Sequence, residues 1–218
     1  MNVLIIDDHP SQIEGYKAIL SYNELGIDIN FTQAVNSKEA YEIITNPVDY
    51  PFFDIILLDI RMPEYPEKKI YSGEDLGVLI NSHIPKSKII IITSHYEGLV
   101  LYNLLQKIEP SGLMVKSDFD GEDLLKAFQI IYKNGTYYSE TVQKAREIIT
   151  SNSKFLDSTN RKIILLLSQG VKTIQLTDYL DLSISSIEKR KIAIRDYLGL
   201  QKASQEDIIG KAKELGLV

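Results

Sequence analysis

The chain has 218 residues, 44% of them hydrophobic and none of them cysteine. That suits two compact domains and excludes a disulfide framework, a thiolate metal site and a cysteine nucleophile. The net charge of −6 is divided unevenly, with 13 basic and 22 acidic residues up to Ser153, a balance of −9, and 11 basic and 8 acidic after it, a balance of +3. An acidic front repels nucleic acid, whereas a mildly basic tail can approach it. The opening stretch MNVLIIDD lacks a basic leader, and apolar runs such as Ile163 to Leu167 are far too short to span a membrane. The expectation is a cytoplasmic protein with no membrane partner.

Up to residue 133, short apolar runs alternate with amphipathic stretches, the pattern of repeated βα units around a parallel sheet. In chain order the pattern predicts strands at Val3–Ile6, Ile29–Ala34, Phe53–Leu58, Ile89–Ile92 and Leu113–Val115. Helices are predicted between and after them, at Ser11–Asn23, Ser37–Thr45, Gly73–His83, Tyr96–Ile108 and Gly121–Tyr132. Asn36 followed by Glu39 marks a capping box opening the second helix, and Pro47 falls just past its end. Strict alternation predicts an α/β fold, a five-stranded doubly wound parallel sheet. Right-handed crossovers then place functional groups beyond the carboxyl ends of the strands. Asn134–Tyr138 reads as a turn, Ser139–Thr150 as a short charged helix and Ser151–Ser158 as a polar linker. From Asn160 onward strand patterns vanish and four short helices are expected. The resulting division is an α/β domain at 1–133, a linker with a short helix at 134–155 and a small all-α domain at 156–218.

Asp7 and Asp8 follow the first predicted strand, Asp59 the third, Thr93 the fourth and Lys116 the fifth, so all five fall on one edge of the sheet. A lone aspartate at a strand end is usually a helix cap or a turn residue. The joint pattern in consecutive βα units is what points to chemistry. Clustered carboxylates are tolerated where a hard cation binds, and Mg²⁺ takes oxygen ligands, often only one or two carboxylates. A carboxylate so placed can attack a phosphoryl group and become an aspartyl phosphate, with a metal and a lysine offsetting the charge. His9 adjoins the pair but reads as a loop residue. The thirteen tyrosines are scattered, without a stacking pattern for single-stranded nucleic acid.

Asp7-Asp8, the run Leu57-Leu58-Asp59-Ile60-Arg61-Met62-Pro63, Thr93-Ser94 and Val115-Lys116-Ser117-Asp118 together resemble the CheY-like receiver family over residues 1–133. The resemblance implies a flavodoxin-like receiver in which Asp59 is the phosphoacceptor. Asp8 and Asp59 would be Mg²⁺ ligands, Asp7 an outer-shell ligand, and the backbone carbonyl of Arg61 the remaining protein ligand. Thr93 would hydrogen-bond the phosphoryl group, Lys116 would pair with it, and small Ser94 would leave room for its oxygens. Two features depart from the family. The stretch Glu64–Ser72 is longer than the usual loop and reads as a tolerated surface insertion. The switch aromatic three residues before the lysine is Leu113, which puts coupling through a rotating ring in doubt but leaves the phosphorylation chemistry intact.

From Leu156 to Leu200 the chain resembles the LuxR/NarL helix-turn-helix without a gap, in Leu166-Leu167, Gly170, Leu176, Leu180, Leu182-Ser183, Ile187 and Leu198-Gly199-Leu200. Gly170 suits a helix terminus, Asp181–Ser183 a turn, and Ser183 an N-cap. The next helix buries Ile187, Ile194 and Leu198, turning Ser185, Glu188 and Lys189 outward. An ordinary helical bundle is the alternative, since a Glu-Lys-Arg-Lys run at 188–191 is common on surfaces. The gapless register favours DNA binding. The resemblance implies contacts to double-stranded DNA from Thr173, Ser185, Lys189, Lys191 and Arg195, with Glu188 accepting from a cytosine amino group. The family's acidic residue near the first helix is replaced by Asn160 and Lys162.

Together the two resemblances imply a two-component response regulator. It would accept a phosphoryl group from a sensor histidine kinase with Mg²⁺ as cofactor, and would act on DNA as a homodimer; it is a phosphoacceptor rather than a turnover enzyme. A phosphohydrolase of the haloacid dehalogenase kind also uses Asp, Thr, Lys and Mg²⁺, but needs an Asp-x-Asp nucleophile after strand one, where this chain has adjacent aspartates and His9. A regulator that binds DNA constitutively stays open because of Leu113.

Overall fold

The computed structural model describes residues 1–46, 50–151, 156–200 and 203–218. Pro47 and Ser153, to which the sequence reading gave boundary roles, lie outside the described residues, as does half of the expected polar linker. Two compact units are present, Met1–Tyr96 with Asn103–Val142, and Glu97–Tyr102 with Gln143–Val218. Among the described residues no helix is long and apolar enough to cross a membrane.

The first unit is built on β1 (Asn2–Ile6), β2 (Asn30–Ala34), β3 (Ile55–Asp59), β4 (Lys88–Thr93), β5 (Gly112–Val115) and β6 (Tyr137–Tyr138). All pairings are parallel, in the order β2-β1-β3-β4-β5-β6. Central strands read as unbroken Val, Ile and Leu because both faces are covered. Val3, Ile5, Ile55, Leu57, Ile90, Ile92 and Met114 pack on one face. Their partners there are Ile13, Tyr16 and Leu20 of α1 (Pro10–Ser21) and Leu124, Phe128 and Ile131 of α5 (Gly121–Tyr132). The alternate residues Leu4, Ile6, Ile56, Leu58, Ile91 and Leu113 are fully buried too, and by strand alternation they belong to the opposite face. The helices α2 (Ser37–Thr45), α3 (Gly73–His83), α4 (Gly98–Ile108) and α6 (Glu140–Ser151) complete the α-helices up to residue 151.

Three helices begin and end at the residues expected from the sequence, and each has a side-chain cap. Asn36 accepts from Glu39 N, Ser72 from Glu74 N, and Asp120 from Glu122 N and Asp123 N. The expectation of five strands needs correction, because residues 137 and 138, read as part of a turn, form a sixth. Asn134 turns the chain at φ 65°, after which Tyr137 N donates to Ser111 O at 3.0 Å and Ser139 N to Leu113 O at 3.1 Å. Two residues are too few to show a strand period in sequence.

The second unit contains α7 (Ser158–Ser168), a 3-10 turn at Thr173–Asp178, α8 (Ile184–Tyr197) and α9 (Gln205–Glu214). One of the four expected helices is therefore 3-10. Ile163, Ile164, Leu167, Leu176, Leu180, Ile187, Ile194, Leu198 and Ile208 share one core. Gly170, at φ 87°, ends α7 as expected, with Val171 N returning to Leu166 O. Ser183 caps α8 through Ser186 N.

The first turn of α3 lies against the end of β3. A Cβ on Gly73 would clash with the Asp59 carbonyl oxygen and stand 2.7 Å from Ile60 Cα, both of them backbone atoms that cannot swing aside. Gly73→Ala is expected to lower stability by about 1–3 kcal/mol. Urea denaturation would read this as a lower midpoint at unchanged slope.

Candidate functional site

Four strand ends deliver the pocket. Asp59 closes β3 and Thr93 closes β4, while Asp7 and Lys116 each stand one residue beyond β1 and β5. Lys116 Nζ donates to Asp59 Oδ2 at 2.7 Å and to Asp7 Oδ2 at 3.1 Å. Both carboxylates are 2% exposed and the lysine 19%. Their other oxygens take backbone N–H groups: Asp59 Oδ1 accepts from Arg61 N at 3.0 Å and Asp7 Oδ1 from His9 N at 2.8 Å. Thr93 is fully buried, and its Oγ1 accepts from His95 N at 3.1 Å. Lys116 N donates to Thr93 O at 2.7 Å, which ties the lysine's loop to the end of β4. The Tyr16 phenol is pushed well up, first by burial and then by the charges of Asp7 and Asp59, so it stays protonated beside the pocket.

Asp7, Asp8, His9 and Asp59 each offer one ligand atom, all within 4.8 Å of one another. His9 Nδ1 lies 2.8 Å from Asp8 Oδ1 and 3.2 Å from Asp7 Oδ1. Asp8 Oδ1 is nevertheless buried without a hydrogen bond, since the histidine contact lacks the geometry of one. An orphaned carboxylate oxygen in an oxygen-rich set fits a hard divalent cation. The sequence reading treated His9 as a loop residue, and it lies in the loop between β1 and α1 with its ring turned to both aspartates. The role of Asp118 was missed. Its carboxylate accepts from Ser139 Oγ, Thr141 N and Thr141 Oγ1 at 2.8–2.9 Å, bracing the loop that carries Lys116 to the start of α6.

In the second unit, Ser185, Glu188 and Lys189 are exposed on α8, as the sequence predicted. The other three residues expected at a DNA interface are engaged within the fold. Lys191 Nζ donates to Thr173 Oγ1 at 2.7 Å, Thr173 Oγ1 donates to Gln205 Oε1 at 3.2 Å, and Arg195 Nη2 donates to Asp196 Oδ1 at 2.7 Å. Arg190 joins α8 to α7 through Asp157 Oδ2 and Asn160 Oδ1, both at 2.8 Å. Asp157, expected within the polar linker, is the N-cap of α7. Burial pushes its carboxyl up, but hydrogen bonds from Arg190 and from backbone N–H groups outweigh this and hold it below the usual value of 3.8.

The model of the response regulator receiver domain matches residues 3–129. The chain belongs to the response regulator receiver family. Relatives of this receiver chain include the transcriptional regulatory protein DegU of Brevibacillus brevis, 29% identical over 138 residues, which are 63% of this chain and 52% of DegU. Another is ComA of Bacillus subtilis (strain 168), 31% identical over 93 residues, 43% of this chain and 39% of ComA. The matched region thus spans about half the length of these relatives or less. Its fold resembles RcsB of Salmonella enterica serovar Typhimurium bound to promoter P1flhDC in the presence of the phosphomimetic BeF3−, with TM-score 0.65, 23% identity, and 100% and 99% of the two chains covered. An RcsB-DNA complex gives TM-score 0.65 at 24% identity, with 98% of each chain covered.

Within this receiver, the longer loop is ordered. A 3-10 turn at Pro66–Lys68, an antiparallel bridge from Tyr65 to Ile70 and left-handed Lys69 at φ 58° fold it back on itself. The Tyr65 ring meets Tyr41 of α2 edge-on at 6.0 Å, and Lys68 Nζ stands 5.1 Å from the Tyr41 ring centre. Leu113 is fully buried in β5.

Lys116→Met is expected to cost about 3–5 kcal/mol, because it leaves two buried carboxylates without their shared cation. Urea denaturation should show part of the loss restored by excess Mg²⁺ and not when EDTA is present. For Asp157 the folded carboxyl lies below its ordinary value, so its contribution is present above that value and disappears as pH falls through the lower, folded one. The stability gap between wild type and Asp157→Asn should therefore hold from neutral pH to about pH 5 and close as the pH drops below about 4. Thermal melts across that range check it.

Proposed function

We propose that this chain is a DNA-binding response regulator of a two-component system, with a receiver at 1–133, a linker at 134–155 and a helix-turn-helix of the LuxR/NarL type at 156–218. The observation that carries the reading is the pair of buried carboxylates bridged by Lys116 beside buried Thr93. An Asp59 carboxylate oxygen attacks the phosphorus of a phosphohistidine on a sensor histidine kinase. A P–O bond forms as the donor's P–N bond breaks, the leaving imidazole nitrogen takes a proton from water, and an acyl phosphate remains on Asp59. Lys116 already holds Asp59 Oδ2 and follows the charge onto a phosphoryl oxygen. Thr93 Oγ1 receives a backbone N–H, so its own proton is free to be donated to the phosphoryl group. Mg²⁺, held by Asp8, Asp59 and the Arg61 carbonyl with Asp7 in the outer shell, would supply charge neutralisation on the transferring group.

The output is binding of double-stranded DNA by a cytoplasmic homodimer, with Ser185, Glu188 and Lys189 facing the bases and Thr173, Lys191 and Arg195 flanking them toward phosphates. The relatives named as transcriptional regulatory proteins, and the DNA-bound RcsB structures, support this reading. A second reading, constitutive DNA binding, is favoured by one observation: Leu113 sits fully buried where the family keeps its switch aromatic.

A small phosphodonor such as acetyl phosphate, with Mg²⁺, is expected to add one phosphoryl group to the full chain. The intact mass should show no adduct with EDTA or in Asp59→Asn, and equal labelling of that variant would remove Asp59 from its role. Duplex binding should weaken steeply with salt, since each phosphate contact releases counterions. Phosphodonor should raise operator affinity; a ratio near one with the adduct present favours the constitutive reading.

A further inference from the structure

The outer face of α8 is a stripe of six exposed positions at helical spacing: Ser185, Glu188, Lys189, Ile192, Ala193 and Asp196. The core needs of this helix are already met by Ile187, Ile194 and Leu198 on the opposite side. Ile192, 48% exposed, stands at the centre of the stripe beside Ala193. A single exposed isoleucine is ordinary. What is unusual is where the cations of α8 go. Arg190 is drawn inward to Asp157 and Asn160, while Lys191 holds Thr173 and Glu188 and Arg195 holds Asp196, so the last two are paired with carboxylates of the stripe itself. Of the four lysines and arginines on α8, only Lys189 stands on the stripe. A face that reads guanine presents Arg or Lys to its O6 and N7; thymine instead offers a 5-methyl group, which takes an apolar contact.

Resting on the DNA-binding reading above, we propose that Ile192 and Ala193 select thymine, by packing on its 5-methyl group in the major groove. The methyl group is the one feature of the four base-pair edges that an aliphatic side chain can recognise and a lysine cannot. The pair occupies the turn after Lys189, so the thymine lies next to the bases that Glu188 and Lys189 reach.

The test begins with binding sites selected by the full chain from random duplexes. Each thymine of a half-site is then replaced by uracil, which lacks only the methyl group, and dissociation constants are measured for wild type and Ile192→Ala. Wild type should lose roughly three- to tenfold at one or two positions, the effect of one buried methyl group, and the variant should be indifferent to the same replacement. Ile192→Lys should shift the selected base at that position from thymine toward guanine. The side chain is exposed, so thermal melts should not change in either variant. Uracil without effect at every position, or an equal loss in wild type and variant, overturns the proposal. So does an Ile192→Ala chain that keeps its DNA affinity but loses self-association by sedimentation, which would make the patch a contact between copies. Failure to select any duplex at low salt would overturn the DNA-binding reading itself, a result separate from selection of duplexes that ignore the methyl group.

Discussion

One ammonium group held between two buried carboxylates is the interaction on which the pocket depends. Lys116 satisfies one oxygen each of Asp59 and Asp7, and backbone N–H groups satisfy the others. The local charge remains negative, with Asp8 beside it, and charges this close interact strongly where water is scarce. Only a parallel sheet brings the groups together so cheaply. Each strand ends at the same edge, and the residues that must converge are the last of one strand and the first beyond its neighbour. The register shows how closely this is set: Asp59 is level with Ile92 of β4, and Thr93 with Val115, the residue before the lysine. A slip of one residue would turn Asp59 or Thr93 into the core face of a helix layer.

The second unit handles charge by the opposite route. There three of the four cations of α8 are held by partners within the unit, and Arg190 serves as a strut between helices. Its two acceptors sit on α7, and one of them, Asp157, also caps that helix, so a single carboxylate sets both the start of α7 and the position of α8. The consequence for recognition is subtractive. With Arg190 drawn inward, and Lys191 and Arg195 paired with Glu188 and Asp196, Lys189 is the one cation of α8 standing on the stripe, beside a serine, two paired carboxylates and two apolar residues.

What could be read from sequence follows the range of the forces involved. Strand and helix periods, and caps such as Asn36, Ser72 and Asp120, act within a few residues, and the elements they govern fall where expected. The five pocket residues were legible because each stands at a strand end and the sheet is parallel. Contacts between distant residues were not legible. Asp157 pairs with Arg190, 33 positions away, and looks like any polar linker residue until both are placed. Asp118 braces Ser139 and Thr141 across more than twenty positions, and the motif at 115–118 in which it stands does not reveal those partners. Helical spacing did single out Lys189 as outward, but it could not show that Arg190, Lys191 and Arg195 find partners within the unit.

The longer loop after Asp59 shows why an insertion so close to the reacting carboxylate need not disturb it. Loop length adds closure entropy only slowly, provided both ends are held. Here they are held on the pocket side by Met62 N and Gly73 N, which both donate to Ile60 O, so the chain leaves and returns at one carbonyl group next to Asp59. Between those points the Tyr65–Ile70 bridge closes the loop on itself, Ile70 is buried, and Ser37 Oγ of α2 donates to Pro63 O. The extra residues therefore add surface at α2 without lengthening the path that positions the carboxylate. The same close return explains Gly73: the carbonyl groups of Asp59 and Ile60 occupy the space a side chain would need. Leu113 belongs to a different part of the structure. Fully buried in β5 with its carbonyl group paired to Ser139 N, it leaves no space for a ring to be inserted without displacing neighbours. The position is thus filled as core, and the departure there is a matter of packing that the pocket's own geometry does not share.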